Sequence, residues 1–213
     1  MRRLPVYLVV DCSSSMRGEP IGAVKEGIQM LISNLRRDPQ ALETVHLSVL
    51  TFATTVTQVV PLMDLAEFQV PELKAGGRTA MGDALSVLSA CAKREVIKST
   101  PEQKGDWRPL AFIMTDGRPT GSIKKGLDEF RSLKWGMVVC CATDKISNTA
   151  TLKKISPECV IQLEAADSKS LSAFFKWVSD SISTSSKSVN ESKKEVTALG
   201  QLPPPPKEMS VVW

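Results

Sequence analysis

The sequence predicts one α/β domain: a doubly wound, Rossmann-like three-layer sandwich with a mostly parallel central sheet and one antiparallel edge strand. Short apolar, β-branched runs typical of buried parallel strands alternate along the chain with amphipathic helical patterns. Two of the strand patterns are joined by a link too short for a crossover, which predicts the antiparallel edge. The 213 residues, 42% hydrophobic and 23% charged, suffice for one such domain with a short appendage.

The predicted elements alternate from the first strand to the last helix. Val6 to Val10 form the first strand, and Pro20 begins a helix without removing a needed N–H group. The hairpin follows, and the region from Pro61 to Leu73 is predicted as a loop with one short helix at most. The full series is a helix with an apolar stripe from Ile21 to Leu35, strands Thr44 to Ala53 and Thr55 to Val60, a helix from Met81 to about Ile97, a strand from Leu110 to Thr115, a helix from Ile123 to Leu133, a strand from Met137 to Ala142, a helix from Thr149 to Ile155, a strand from Val160 to Leu163, and a helix capped by Ser168.

A change in composition marks the end of the domain. Beyond about Ser183 the chain is rich in Ser, Lys, Glu, Asn and Thr, and offers little apolar surface to offset the entropy of ordering. We therefore predict a domain over residues 1–187 and a flexible Ser/Lys-rich and polyproline tail over 188–213. In this tail, Pro203 to Pro206 predict a stiff polyproline II segment before the apolar end Met209 to Trp213. Three alternatives stay open for that end: docking on the domain, a motif for a partner, or disorder.

Composition also excludes several classes of protein. The net charge of +4 is mild and spread along the chain, which argues against a nucleic-acid partner. The apolar run after Pro5 is too short for a secretory signal, and no stretch is long enough to span a membrane. The five cysteines lack C-x-x-C spacing and lie mostly in apolar runs, as reduced core thiols do. We expect a cytoplasmic protein.

Oxygen-bearing side chains stand at the carboxyl ends of two predicted strands and in a glycine turn before a helix. Ligands bind in the crevice beyond the carboxyl ends of an open parallel sheet, so these loops are expected to meet there. Side chains two residues apart in extended backbone point the same way. Hydroxyl and carboxylate oxygens suit a hard cation such as Mg²⁺. The sequence predicts a metal site made of Asp11, Ser13, Ser15, Thr79 and Asp116. The alternative is that the serine-rich turn only caps a helix or closes a loop.

The pattern Asp11-x-Ser13-x-Ser15, with a distant Thr79 and a distant Asp116-Gly117, resembles the metal-ion-dependent adhesion site of the von Willebrand factor type A (vWA) family. The resemblance covers roughly residues 4 to 185 and implies the vWA fold. It also implies that the two serines and Thr79 contact Mg²⁺, with Mn²⁺ or Ca²⁺ as alternatives, while the two aspartates act directly or through bound waters. The last coordination position would be filled by an acidic side chain of a protein partner.

A finer resemblance is carried by the stretches D-C-S-S-S-M-R-G-E-P-I, G-G-R-T-A-M-G, T-D-G-x-P-T and L-P-P-P-P-K. These are similar to bacterial TerY-like proteins of tellurite-resistance and stress-response systems. That resemblance implies an adaptor or scaffold of phospho-signalling, which works beside a protein kinase and a PP2C-type phosphatase.

An enzymatic alternative is a Mg²⁺-dependent phosphoryl-transfer hydrolase with Asp11 as nucleophile. Aspartate-based phosphatases carry the pattern D-x-D-x-T at the end of the first strand, and the second carboxylate serves as acid and base. Ser13 occupies that position here and cannot do this chemistry. We therefore expect a binding module rather than an enzyme.

An arginine accompanies each of the three predicted metal loops: Arg17, Arg78 and Arg118. Guanidinium groups bind carboxylate or phosphate through two parallel hydrogen bonds. One hypothesis is that these arginines form a rim that selects an anionic or phosphorylated partner. The alternative is three solvated arginines without such a role.

Overall fold

The central element is a seven-stranded sheet with strand order β3-β2-β1-β4-β5-β6-β7. The computed structural model describes residues 2–116, 118–143, 149–195 and 199–212, so Gly117 and Trp213 lie outside the described residues. The strands are β1 Leu4–Asp11, β2 Val45–Phe52, β3 Val56–Asp64, β4 Leu110–Thr115, β5 Met137–Ala142, β6 Val160–Leu163 and β7 Met209–Val211. The helices are α1 Glu19–Arg37, α2 Pro39–Thr44, α3 Met81–Glu95, α4 Lys124–Arg131, α5 Thr149–Ile155 and α6 Ser168–Lys187.

Alternate residues of β1 serve two separate cores, one on each face of the sheet. Val6 and Leu8 pack in the core shared with α1 and α6, whereas Tyr7 and Val9 pack in the core shared with α3, α4 and α5. All of β1 is buried, as expected for a central strand covered on both faces. The predicted three-layer α/β sandwich is confirmed.

The order of the strands fixes where a ligand site can form. β1 pairs in parallel with β2 on one side and with β4 on the other. The chain therefore builds outward from β1 in one direction and then returns to build in the other. The carboxyl ends of β1 and β4 flank this switch point, where open α/β sheets bind their ligands.

Helices α1 and α6 approach each other closely at Gly27. A Cβ atom built on Gly27 would lie 2.1 Å from Cδ2 of Phe175. The absent side chain lets the Phe175 ring pack directly against the α1 backbone.

Three local features differ from the sequence prediction. The residues before β2 form the short helix α2, whose first N–H groups are capped by Asp38. β3 continues through Pro61 to Asp64, where a loop was predicted; an edge strand accepts proline because its outer N–H groups need no partner. Asp167, not Ser168, caps α6, and its carboxylate accepts the Ser170 N–H at 2.7 Å.

The predicted antiparallel edge strand is confirmed as β3, which pairs with β2. A second antiparallel edge lies on the opposite side of the sheet, where β7 pairs with β6. β7 belongs to the interval 188–213 that was predicted as a tail, and the Trp177 indole N–H donates to the carbonyl of Pro203 at 2.8 Å. Three alternatives were open for the apolar end of the chain. The structure shows it docked on the domain through the pairing of β7 with β6. The boundary after residue 187 stays a prediction.

The five cysteines are free and buried, as predicted. Among the described residues, the structure contains no helix with the length and apolar character needed to cross a membrane.

Candidate metal centre

Asp11 ends β1 with its side chain fully buried. Its Oδ1 accepts the backbone N–H of Ser13 at 2.8 Å, and its Oδ2 accepts the hydroxyl of Thr115 at 2.5 Å. Burial raises the pKa of Asp11 above its ordinary value, while the hydrogen bonds from Thr115 and Ser13 act in the opposite direction. The carboxylate is thus held between the ends of β1 and β4.

The two serines of the motif meet the carboxylate of Asp116. The hydroxyl oxygens of Ser13 and Ser15 lie 3.0 Å apart, and the Ser15 hydroxyl donates to Oδ1 of Asp116 at 2.8 Å. A single 3₁₀ turn over Ser14–Met16 follows, anchored by the fully buried side chain of Met16. The structure therefore brings three of the five predicted ligands into one hydrogen-bonded chain.

Cys12 stands between Asp11 and Ser13 but points into the core. Burial raises the pKa of its thiol to about 12. A thiol that keeps its proton is a poor metal ligand, so the site offers oxygen donors.

The double-glycine turn is joined to the serine loop by backbone hydrogen bonds. The Gly76 N–H donates to the carbonyl of Cys12 at 2.7 Å, and the Ser14 N–H donates to the carbonyl of Gly77 at 3.1 Å. The Gly77 N–H in turn donates to the Ser14 hydroxyl at 2.9 Å. Gly77 has a φ of +87°, and a Cβ there would lie 2.4 Å from Oγ1 of Thr54. Glycine is therefore required at this position for both conformation and space.

Thr79 is buried beside this turn, just before α3. Its N–H donates to the hydroxyl of Thr120 at 2.9 Å, and its carbonyl accepts the Thr120 N–H at 2.8 Å. The loop after β4 thus holds the loop that carries Thr79, and all five predicted ligands belong to three loops that are bonded to one another.

Sequence reasoning missed the hydroxyl residues that support the ligands and the loops that carry them. Thr115 bonds Asp11, Thr120 bonds Thr79, and the hydroxyl of Thr54 accepts the N–H of Arg78 at 3.0 Å. Thr115 could have been found, because it directly precedes Asp116 at the strand end. No sequence pattern around Thr120 or Thr54 indicates the residue that each one bonds.

The three arginines are exposed in the loops around the site. Nε of Arg17 lies 3.4 Å from the carbonyl of Ala75, so this side chain lies along the double-glycine turn. Arg78 is held through its backbone N–H, and Arg118 lies just before Pro119 in the loop after β4. The positions are compatible with a rim, and their role stays a hypothesis.

The donor set fits a hard divalent cation. It consists of neutral hydroxyls and carboxylates, which are the groups that Mg²⁺ prefers. Among the residues that the structure describes, no group of three or more His, Cys, Asp or Glu side chains is arranged to hold a metal. A site here would therefore depend on its serine and threonine oxygens.

Comparison with known proteins agrees with this architecture. A solved vWA protein from Catenulispora acidiphila has a TM-score of 0.65 at 19% identity, over 86% of this chain and 43% of that chain. The pilus adhesin SpaC from Lactobacillus rhamnosus GG, in its open conformation, has a TM-score of 0.66 at 14% identity, over 86% of this chain and 30% of that chain.

Proximal thread matrix protein 1 from the mussel byssus, solved with a zinc-occupied metal-ion-dependent adhesion site, has a TM-score of 0.62 at 16% identity, over 84% of this chain and 48% of that chain. The matched region is less than half the length of each of these three proteins. A search of curated proteins gave no match. The model of the von Willebrand factor type A domain family matches residues 6–177. The chain therefore belongs to the von Willebrand factor type A domain family.

Proposed function

We propose that this vWA domain is a metal-dependent protein-binding module that recruits an acidic side chain of a partner. The ion would be held by Asp11, Ser13, Ser15, Thr79 and Asp116. The observation that carries the proposal is the hydrogen-bonded chain from Ser13 through Ser15 to Asp116, which gathers hydroxyl and carboxylate oxygens at the switch point of the sheet. Mg²⁺ is the proposed ion, with Mn²⁺ and Ca²⁺ as alternatives.

The charge of the ligand set supports an acidic partner. Two serine hydroxyls and Thr79 carry no charge, and Asp11 is fully buried behind them. Where Asp11 and Asp116 act through bound waters, only neutral hydroxyls would contact a divalent ion directly, so the ion would attract an outside carboxylate. Ser15 is exposed, so a partner can approach the site from solvent.

The arginine rim is a finer proposal about the same surface. Arg17, Arg78 and Arg118 are exposed around the site and would favour an anionic or phosphorylated patch beside the metal-bound carboxylate. Reversing the charge of Arg78 and Arg118 together should weaken partner binding without weakening metal binding, since added negative charge near a cation favours its binding.

The biological setting is proposed from the TerY-like stretches. We place the chain in a bacterial tellurite-resistance or stress-response system, as an adaptor beside a protein kinase and a PP2C-type phosphatase. A cytoplasmic location is part of this proposal, and the five free, buried thiols support it because reduced cysteines are usual in that compartment.

The competing function is a Mg²⁺-dependent phosphoryl-transfer hydrolase with Asp11 as nucleophile. Both carboxylate oxygens of Asp11 already accept hydrogen bonds, and its side chain has no exposed surface. These contacts favour a supporting role over nucleophilic attack. Metal-dependent hydrolysis of an aryl phosphate that is lost in Asp11→Asn would reverse this preference.

The decisive experiment combines metal binding with partner capture. Mn²⁺ titration followed by electron paramagnetic resonance should show one site in the wild type and a loss of affinity of about tenfold or more in Thr79→Ala. Thr57→Ala, an exposed threonine of β3, is the matched control and should bind Mn²⁺ normally.

Capture from native lysate then tests the partner surface. A protein that elutes with EDTA from the wild type and from Thr57→Ala, and is absent from Thr79→Ala, supports the proposal. Partners that stay bound through EDTA, or ignore Thr79→Ala, would place binding away from the metal loops.

A further inference from the structure

A cavity lined mostly by polar and cationic residues lies at the end of the sheet opposite the metal loops. It has a volume of about 380 Å³, and we call it the Trp107 pocket. Three of its lining residues stand at the amino ends of neighbouring parallel strands: Arg2 before β1, Thr44 before β2 and Trp107 before β4. The metal loops follow the carboxyl ends of the same sheet. The pocket is lined by Arg2, Thr44, Lys104, Trp107, Asn190 and Lys193, with Val189 beside them.

Arg2 is held in place at the wall of this pocket. Its guanidinium carbon lies 3.5 Å from the centre of the Trp107 ring, a favourable cation–π arrangement. Its Nε donates to the carbonyl of Gly105 at 2.6 Å, and one Nη donates to the carbonyl of Asp106 at 3.1 Å. These bonds use two of the five N–H donors of a guanidinium. An arginine fixed in this way loses little entropy when it binds an anion.

The charge of the pocket is one-sided. Arg2, Lys104 and Lys193 are cationic, and none of the described lining residues is acidic. Nζ of Lys193 donates to the carbonyl of Asn190, an interaction that does not neutralise its charge. Of the carboxylates on neighbouring segments, Asp106 pairs with Arg3, Glu195 with Arg108, and Asp38 with Lys187. Glu191, next to Asn190, accepts a hydrogen bond from the Gln40 side-chain amide at 3.1 Å and does not line the pocket.

We propose that the Trp107 pocket binds a phosphate monoester. Three cations around one cavity match the charge of a dianionic phosphate, and a fixed guanidinium offers it parallel donors. The volume exceeds that of a bare phosphate ion and falls within the range of small-ligand pockets, about 300–1,000 Å³. The ester is therefore either a small molecule or a phosphorylated side chain, and the two share the same recognition chemistry. This site is independent of the metal centre.

The test is isothermal titration calorimetry on the full chain with phenyl phosphate, a phosphoserine peptide and benzoate. Phenyl phosphate or the phosphopeptide should bind, and the tighter of the two identifies the source of the phosphate. Lys104→Glu and Lys193→Glu should each weaken that binding by about tenfold or more, because each removes a charged hydrogen-bond donor and adds repulsion. Lys98→Glu, an exposed lysine outside the pocket lining, carries the same charge change and should bind as the wild type does.

A second readout locates the binding. The indole N–H resonance of Trp107, assigned with Trp107→Phe, should shift on titration with the phosphate probe, while that of Trp177 stays in place. Thr79→Ala should leave the affinity unchanged. Failure of both phosphate probes to bind, equal binding of benzoate, or equal loss in Lys98→Glu would overturn the proposal.

Discussion

Thr120 and Thr79 hold each other through reciprocal hydrogen bonds: the Thr79 N–H donates to the Thr120 hydroxyl at 2.9 Å, and the Thr120 N–H donates to the Thr79 carbonyl at 2.8 Å. The two residues are 41 positions apart and belong to different metal loops. Groups that orient a metal ligand without touching the metal strongly influence its affinity. Thr120 is therefore expected to be a positioning residue for Thr79.

Thr120→Val keeps the shape of the side chain and removes its hydroxyl acceptor. If the proposed metal site is correct, the Mn²⁺ affinity should fall about 10- to 100-fold. Electron paramagnetic resonance titration measures this change, and Thr57→Val on the exposed face of β3 serves as the matched control. An unchanged Mn²⁺ affinity in Thr120→Val, with a loss of affinity in Thr79→Ala, would show that the hydrogen bond from Thr79 to the Thr120 hydroxyl does not position the ligand.

Two glycines of α1 give a matched pair for the contact between α1 and α6. A Cβ on Gly27 would lie 2.1 Å from the Phe175 ring, whereas a Cβ on Gly22 meets nothing within 4 Å. Gly27→Ala should lower the free energy of unfolding by about 1–3 kcal/mol through overpacking. Gly22→Ala should raise it by about 0.5–1 kcal/mol, because alanine is the better helix former. Urea denaturation measures both, and equal stability of the two variants would argue against a close contact.

Sequence patterns predicted the parts of this fold that are governed by local periodicity. The spacing of Asp11, Ser13 and Ser15 predicted that their side chains come together, and the structure has the two serine hydroxyls 3.0 Å apart. A 3₁₀ turn over Ser14–Met16, not the extended backbone expected from the sequence, brings Ser15 to this position. The alternation of strands and helices likewise predicted the sheet and its layers. These features depend on residues close together in sequence.

Contacts between distant loops could not be predicted in the same way. The bond between Thr79 and Thr120 joins two irregular segments, where no periodicity relates one residue to the other. The strand β7 follows a proline run in a polar segment, so composition alone favoured a tail. Its pairing depends on the open edge of β6, which is a property of the assembled sheet.

The docking of β7 predicts a contribution of the last residues to stability. Met209 is 7% exposed, whereas Ser210 on the same strand is exposed. Met209→Ala should lower the free energy of unfolding by about 1.5–3 kcal/mol, the value for burying such a side chain. Ser210→Ala, the control, should change it by less than about 0.5 kcal/mol. Amide exchange of Glu164, whose N–H donates to the carbonyl of Glu208 at 3.4 Å, should be faster only in Met209→Ala. Equal exchange in both variants would mean that Met209 does not hold the strand.

The buried thiol of Cys159 predicts a loss of stability at alkaline pH. Burial raises the pKa of Cys159 from an ordinary value of 9.0 to about 12. Between these two values the unfolded chain releases the thiol proton while the native protein retains it. The free energy of unfolding should therefore be highest below about pH 9 and should fall as the pH rises toward about 12.

Cys159→Ala tests this account through the slope of stability against pH. Removing the thiol also leaves a cavity, so the absolute stability of the variant is lower at every pH. The decline between pH 9 and 11 should nevertheless become shallower, by up to about 1.4 kcal/mol per pH unit for one proton. Urea denaturation across this range gives the slope, and Ser132→Ala, a change at an exposed serine, should keep the slope of the wild type. If the Cys159→Ala slope is as steep as that of the wild type, other groups cause the loss of stability at alkaline pH. The difference in bound protons between the native and unfolded states would then not come from this thiol.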